Sequence, residues 1–154
     1  MENRAIKKWT QENARLNIER YCAYQERCHE EVRNKLLIHG IYGDFLEELI
    51  SDLIEGNYLN EERFAIQFAG GKFRIKKWGR VKIKQALIMK KVSAYSIKEA
   101  LLQITEAEYL ETIAYWIEKR GGYRKDMQYD EKMELIRFLQ SKGFEQEWIN
   151  TVLE

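Results

Sequence analysis

The chain has 154 residues, of which 45% are hydrophobic and 33% charged, and its formal net charge at pH 7 is +1. This composition is typical of a soluble helical protein, and the absence of proline favours consecutive helices because proline disrupts helix interiors. No apolar stretch approaches the roughly 20 residues that a membrane-spanning helix needs, and the first residues contain no apolar signal segment. We therefore expect a cytoplasmic protein without a membrane partner.

The chain contains two cysteines, Cys22 and Cys28. A disulfide between them is not expected in a reducing cytosol, and a structural zinc site would need four ligands. His29 and His39 are the only histidines, and there is no second cysteine pair. We therefore predict neither a metal nor a cofactor, and we expect both cysteines at half-buried helix positions.

The first predicted helix covers about residues 5–24. Its apolar side chains follow no single helical stripe; they are Ile6, Trp9, Leu16, Tyr21 and Tyr24. We therefore expect residues 1–26 to form an N-terminal helix that docks only in part and leads into a first structural unit.

One spacing of apolar residues occurs three times in the rest of the chain. The copies are Val32, Leu36, Ile41, Leu46 and Ile50; then Ile83, Leu87, Val92, Ile97 and Leu101; then Leu135, Leu139, Phe144, Ile149 and Leu153. A recurrence at intervals of 51 and 52 residues is typical of stacked repeats, whose units pack on their neighbours. The pattern predicts an all-α fold of three tandem three-helix repeats, with cores at residues 27–59, 60–104 and 105–154.

In repeat 1, a helix is predicted over residues 27–39, with Leu37 and Ile38 facing inward beside the recurrent positions. Gly40 is the expected left-handed C-cap. A second helix is expected to begin at Asp44, with Glu47 three residues later in the manner of a capping box.

In repeat 2, Asn60 is the predicted N-cap of a helix whose inner face includes Phe68. We expect this helix to continue through Gly70 and Gly71, although each glycine costs about 1 kcal/mol relative to alanine. Two further helices are predicted, at about residues 80–90 and 96–103.

In repeat 3, Thr105 and Glu108 form a capping-box pattern that predicts a helix to about residue 119. A helix at about residues 130–141 should follow. Gly143 is the expected C-cap, and a last helix should run to the end of the chain.

The charges are separated by sign along the sequence. Residues 42–62 contain seven acidic residues and no basic one, whereas residues 72–91 contain nine basic residues and no acidic one. The nine are Lys72, Arg74, Lys76, Lys77, Arg80, Lys82, Lys84, Lys90 and Lys91. A run of this kind is either a solvated helix face or a contact surface for phosphate or for an acidic protein face.

The contact surface is the interpretation we favour, because nine like charges exceed the usual mixture on a protein surface. Lysine and arginine without a base-reading element favour contacts with the nucleic-acid backbone. Phe73 and Trp78 lie among these charges; they could stack on bases, but packing in the core is the expected role. Arg63 could pair with an acid such as Glu61 or Glu62, or face a partner; a structural role within the repeat is the interpretation we favour.

Three segments carry a resemblance to a known family. The residues are Arg27 with Glu30-Glu31, then Gly56-Asn57-Tyr58-Leu59-Asn60-Glu61-Glu62-Arg63-Phe64-Ala65, then Lys77-Trp78-Gly79-Arg80-Val81-Lys82-Ile83 with Leu87. With these motifs, residues 27–102 resemble the RecX family, the bacterial regulators of the RecA recombinase. Two positions depart from the family's common pattern: Asn60-Glu61 stands where two aspartates are common, and Cys28 stands where serine is usual.

The resemblance implies three three-helix repeats in a curved, elongated, right-handed helical stack. It also implies a negative regulator in DNA repair, recombination and the SOS response. Such a protein would bind the RecA filament on single-stranded DNA, lie in the filament groove as a monomer, and restrain the recombinase and coprotease activities of RecA.

No constellation of catalytic residues is visible, so we do not expect an enzyme. Two other functions remain open from the residues alone. One is a nucleic-acid-binding helical module without a recombinase partner, and the other is a protein-interaction scaffold.

Overall fold

The structure is a computed structural model that describes residues 5–154, and within this range it contains nine α-helices and no strand. The helices are α1 (Gln11–Tyr24), α2 (His29–Ile38), α3 (Gly43–Glu55), α4 (Glu61–Arg74), α5 (Arg80–Met89), α6 (Ala94–Leu102), α7 (Glu106–Lys119), α8 (Tyr129–Ser141) and α9 (Gln146–Leu153). The predicted all-α class is confirmed.

The helices pack in consecutive groups of three. Helix α2 packs on α1 and α3, α4 packs on α5 and most extensively on α6, and α7, α8 and α9 pack on one another. Of the fifteen recurrent apolar positions, fourteen are buried, and Leu101 is partly buried. The recurrent spacing therefore marks the inner face of the last two helices in each group.

Several helix ends form as the sequence predicts. The Asn60 side chain accepts the N–H of Arg63 at the start of α4, and Thr105 and Glu108 form a capping box at the start of α7. Gly40 and Gly143 follow α2 and α8 with φ angles of 84° and 98°. These left-handed values explain why glycine is needed there.

Helix α4 runs without interruption through Gly70 and Gly71, as predicted. Tertiary support is visible on the adjacent turns, where Ala69 and Phe73 are buried. Packing of this face offsets the low helix propensity of the two glycines.

The first helix differs from its prediction. It begins at Gln11, after a capping box between Thr10 and Asn13, so residues 5–10 are not helical; residues 1–4 lie outside the described range. Its buried stripe is Ala14, Ile18 and Cys22, spaced by four residues. The sequence analysis missed this stripe because small side chains form much of it, whereas Leu16 and Tyr24 of the same helix are exposed.

Two predictions for repeat 1 were also wrong. Leu37 and Ile38 are 49% and 55% exposed, because α2 buries a narrow stripe at Val32 and Leu36. Asp44 does not cap α3, which begins at Gly43 with Tyr42 as its N-cap. Asp44 instead lies in the first turn, where the helix dipole favours a carboxylate.

Both cysteines are buried rather than half-buried, and both are free thiols. Cys22 lies in α1, and Cys28 is the N-cap residue of α2. Burial raises the pKa of each thiol to about 11.

The buried side chains form two cores rather than three. One core belongs to α1–α3, and the other is continuous from α4 to α9 and also receives Cys28. Repeats 2 and 3 therefore form one packed body.

Candidate nucleic-acid interface

The structure distributes the nine basic residues of the 72–91 segment over different surroundings. At its end, Lys90 lies 4.0 Å from a carboxylate oxygen of Glu31, and Lys91 lies 3.4 Å from one of Glu30. Both acids belong to the first turn of α2. These two lysines therefore connect repeat 2 to repeat 1, and their charge is compensated locally.

Arg74 and Arg80 face repeat 3. Arg74 lies 3.6 Å from Glu108, and the guanidinium of Arg80 lies 3.9 Å from Glu145. Arg80 also lies over the ring of Tyr109, 3.9 Å from its centre. Both arginines are thus held at the junction between repeats 2 and 3.

Tyr109 is the centre of this junction and is fully buried. Its hydroxyl accepts the backbone N–H of Arg80 at 2.9 Å and donates to the carboxylate of Glu145. Burial, together with the bond to Glu145, raises the pKa of this phenol. The hydroxyl therefore stays protonated and bridges two repeats.

The middle of the segment has a different environment, in which lysines lie over aromatic rings. The ammonium groups of Lys72 and Lys82 lie 5.1 and 4.6 Å from the ring centre of Trp78. Trp78 is half-buried, whereas Phe73 is fully in the core. The predicted core role of Phe73 is confirmed.

Repeat 3 extends this arrangement with residues that the sequence analysis missed. Lys77 lies 4.6 Å from the ring centre of Tyr115, and Lys142 lies 4.7 Å from that of Trp116. Lys119 lies 5.6 Å from the ring centre of Trp116. We call this set the lysine–aromatic surface; its members are Lys72, Lys77, Lys82, Lys119 and Lys142 with Trp78, Tyr115 and Trp116.

Hydrogen bonds to main-chain carbonyls hold the two halves of the lysine–aromatic surface together. The N–H of Gly79 donates to the carbonyl of Lys142 at 2.7 Å, and the N–H of Val81 donates to that of Gly143 at 3.0 Å. The indole N–H of Trp116 donates to the carbonyl of Lys77 at 2.8 Å. Lys77 and Lys142 therefore both contact Trp116, although 65 positions separate them in the sequence.

The approach of the two backbones requires glycine. A Cβ atom on Gly79 would lie 2.3 Å from the carbonyl carbon and oxygen of Gly143. A side chain at this position would push the repeats apart, so the lysine–aromatic surface requires glycine at position 79.

The lysine–aromatic surface is positively charged without internal compensation. Within the described part of the chain, its five lysines form no ion pair with a carboxylate. Each ammonium group instead lies over the negative face of a ring, which orients it without neutralising its charge. This arrangement is suited to binding phosphate groups.

The remaining two predicted residues, Lys76 and Lys84, are exposed. Lys76 precedes Lys77 in the turn after α4 and lies next to the lysine–aromatic surface. Lys84 lies on α5 two residues after Lys82, which places it on another side of that helix, about 160° away. The structure therefore does not bring Lys84 together with the other lysines.

Arg63 has a structural role, with partners other than those predicted. It pairs with Glu26, and its guanidinium donates to the side chain and the carbonyl of Asn57 at 3.1 and 3.0 Å. Glu61 is instead the acceptor of the Ser93 N–H, at 3.0 Å. Arg63 thus links the turn before α4, through Asn57, to the segment after α1, through Glu26.

Among residues 5–154, no group of three or more histidine, cysteine or acidic side chains is placed to hold a metal ion. In the same part of the chain, no helix combines the length and the apolar character needed to cross a membrane.

Comparison with known proteins identifies the repeats. Residues 60–101 match the family model for the second three-helix domain of RecX, and residues 106–153 match the model for the third. The chain belongs to the RecX family.

Curated RecX relatives support this assignment over most of the chain. The regulatory protein RecX of Clostridium perfringens is 32% identical over 130 residues, which cover 82% of this chain and 60% of the relative. The regulatory protein RecX of Bacillus cereus is 26% identical over 144 residues, which cover 93% and 53%. The chain therefore spans between half and two thirds of the length of these relatives.

Solved RecX structures have the same fold. The crystal structure of RecX from Lactobacillus salivarius superimposes with a TM-score of 0.83 at 24% identity, covering 93% of this chain and 94% of that one. A second crystal structure of regulatory protein RecX gives a TM-score of 0.80 at 21% identity, covering 92% of this chain and 70% of the other.

Proposed function

We propose that this chain is a non-catalytic, monomeric, cytoplasmic regulator of the RecA recombinase, that it binds the RecA filament on single-stranded DNA, and that it lowers RecA activity. Membership of the RecX family supports the regulatory role. The observation that carries the mode of binding is the lysine–aromatic surface, with five oriented lysines that form no ion pair within residues 5–154.

The chemistry of this surface favours contact with phosphates over base reading. Lysine carries a compact point charge on a flexible stem, which suits contact with phosphates, and phosphate contacts carry no sequence information. In addition, ammonium groups lie over the rings of Trp78 and Trp116, so stacking of a base would require those lysines to move. The proposed contact is therefore electrostatic and largely independent of sequence.

A contact of this kind has a measurable dependence on salt. If all five lysines neutralise phosphates, the logarithm of the affinity for single-stranded DNA should fall with the logarithm of salt concentration with a slope of about −3.5, since each contact contributes about −0.7. Fluorescence anisotropy of a labelled oligonucleotide at several salt concentrations measures this slope.

A triple charge reversal tests which residues carry the contact. Lys77→Glu, Lys82→Glu and Lys142→Glu together should weaken DNA binding by about 100-fold or more and make the slope shallower. The control is Lys84→Glu with Lys98→Glu, which reverses two exposed lysines elsewhere on repeat 2 and should have a much smaller effect for each charge reversed. Equal losses in the two variants would mean that binding follows overall charge and not this surface.

RecA-driven strand exchange and ATP turnover test the regulatory role. The wild-type chain should lower both at stoichiometric ratios, and the triple variant should not. DNA binding without any effect on RecA would instead indicate a nucleic-acid-binding module. Binding to the filament without affinity for DNA would indicate a protein-interaction scaffold.

A further inference from the structure

A groove of about 600 Å³ lies between α5 and α6, on another side of α5 from Lys82. Its lining is mainly aliphatic, and it includes Ile88, Leu101 and Leu102. Ile88 and Leu102 are 54% and 64% exposed. Exposed aliphatic side chains of this kind mark an interaction site, because a partner that covers them removes apolar surface from water and so stabilises the complex.

The rim of the groove is positively charged. Lys84 on α5 and Lys98 on α6 both line it, as does Arg80, which is paired with Glu145, and no carboxylate lines it. Both lysines are exposed, and neither forms an ion pair within the described residues.

In repeat 1, an ion pair joins the two helices at the positions equivalent to Lys84 and Lys98. The positions 51 residues before Lys84 and Lys98 are Arg33 and Glu47, on the corresponding helices α2 and α3. These two side chains form an ion pair across the helices, with one N···O distance of 3.1 Å. In repeat 2, a lysine stands in place of the acid, so Lys84 and Lys98 face the groove without the carboxylate that pairs with Arg33 in repeat 1.

We propose that the groove between α5 and α6 binds an acidic amphipathic helix of a partner protein. Aliphatic side chains of that helix cover Ile88 and Leu102, and its carboxylates lie between Lys84 and Lys98, in the role that Glu47 has beside Arg33. Helix-in-groove recognition of this kind needs only a short stripe of anchors. The inference does not rest on the proposed nucleic-acid contact, since it uses a different side of α5.

A defined peptide tests the proposal. The probe is a fluorescein-labelled helical peptide of roughly 15 residues, with leucine at every third or fourth position and glutamate elsewhere. The same peptide with lysine in place of glutamate is the charge control. The chain should bind the glutamate peptide and not the lysine peptide. Failure to bind the glutamate peptide at about 1 mM, or equal binding of both, would overturn the proposal.

Variants separate the groove from the rest of the surface. Ile88→Glu should weaken peptide binding by about tenfold or more, whereas Leu37→Glu, at the corresponding exposed position of repeat 1, should not. Lys98→Glu should also weaken binding, because a glutamate there can pair with Lys84 as Glu47 pairs with Arg33. Circular dichroism checks that all three remain folded. Unchanged binding in Ile88→Glu or Lys98→Glu would contradict the assigned site.

Two further measurements test whether the groove binds an acidic partner, DNA or a second copy of the chain. Single-stranded DNA should not displace the peptide, and Lys98→Glu should leave DNA binding nearly unchanged; displacement by DNA would refute a separate site. Sedimentation should show a monomer for the wild-type chain. A wild-type dimer that Ile88→Glu dissociates would show that a second copy occupies the groove, and would overturn the acidic partner.

Discussion

A single methyl group at position 79 should strongly destabilise the junction between repeats 2 and 3. In Gly79→Ala, the new Cβ would lie 2.3 Å from the carbonyl carbon and oxygen of Gly143 and 2.5 Å from the nitrogen of Phe144. All three are backbone atoms, which cannot rotate away as a flexible side chain can. The backbones must therefore separate by roughly 1 Å to reach ordinary contact.

The loss in stability follows from the hydrogen bonds across this junction. A separation of that size would break the hydrogen bonds from Gly79 to Lys142 and from Val81 to Gly143, which are now 2.7 and 3.0 Å long. Each bond contributes about 1 kcal/mol, and buried groups left without partners cost more. We expect the free energy of unfolding to fall by about 3 kcal/mol.

Urea unfolding followed by circular dichroism measures this loss. With a slope of about 2 kcal/mol per M, the midpoint should fall by about 1.5 M. The control is Gly71→Ala in α4, where a Cβ meets no atom within 4 Å; its midpoint should stay the same or rise, because alanine favours the helix by up to about 1 kcal/mol. A midpoint for Gly79→Ala equal to that of the wild type would refute the close approach. The same variant should also weaken DNA binding, since the junction positions the lysine–aromatic surface.

Four further outcomes follow from buried groups. Tyr109→Phe should lower the free energy of unfolding by about 2 kcal/mol, because it leaves the carboxylate of Glu145 without its donor; an unchanged urea midpoint would contradict the bridging role. Cys22 and Cys28 should react with a thiol reagent only after denaturation at neutral pH, because both are buried with a pKa of about 11; fast labelling of the native chain would contradict this. Their folded pKa values lie above the unfolded value of 9.0, so protonated thiols stabilise the fold below pH 9, and this stability should be lost as the pH rises through about 11. Leu87→Ala should cost about 2–5 kcal/mol, because Leu87 is fully buried; a negligible cost would mean that it is not a core residue.

Local patterns in the sequence were sufficient for much of the fold. The recurrent apolar positions, the caps at Asn60 and Thr105, and the glycines after α2 and α8 all depend on residues within one or two helical turns of each other. Such interactions are visible in the sequence because the helical period relates neighbouring positions directly. The same local reasoning failed for α1, where the buried stripe consists of residues that are small as well as apolar.

The candidate interface depended on contacts that no local pattern contains. The run of basic residues was visible in the sequence, but the way the fold divides it was not. Arg80 packs on Tyr109, whereas Lys77 and Lys142 both contact Trp116 of repeat 3. Charges that are adjacent in sequence can face different sides of one helix, because successive residues are rotated by about 100°.

The sequence by itself determined the helices, their order and the equivalence of the three repeats, since these follow from spacing along one chain. Tertiary structure decided how the repeats differ. Repeats 2 and 3 share a core because Gly79 lets their backbones meet, and the rim that Arg33 and Glu47 close in repeat 1 stays open between Lys84 and Lys98. These differences depend on distances between residues remote in sequence, and only the packed chain sets those distances.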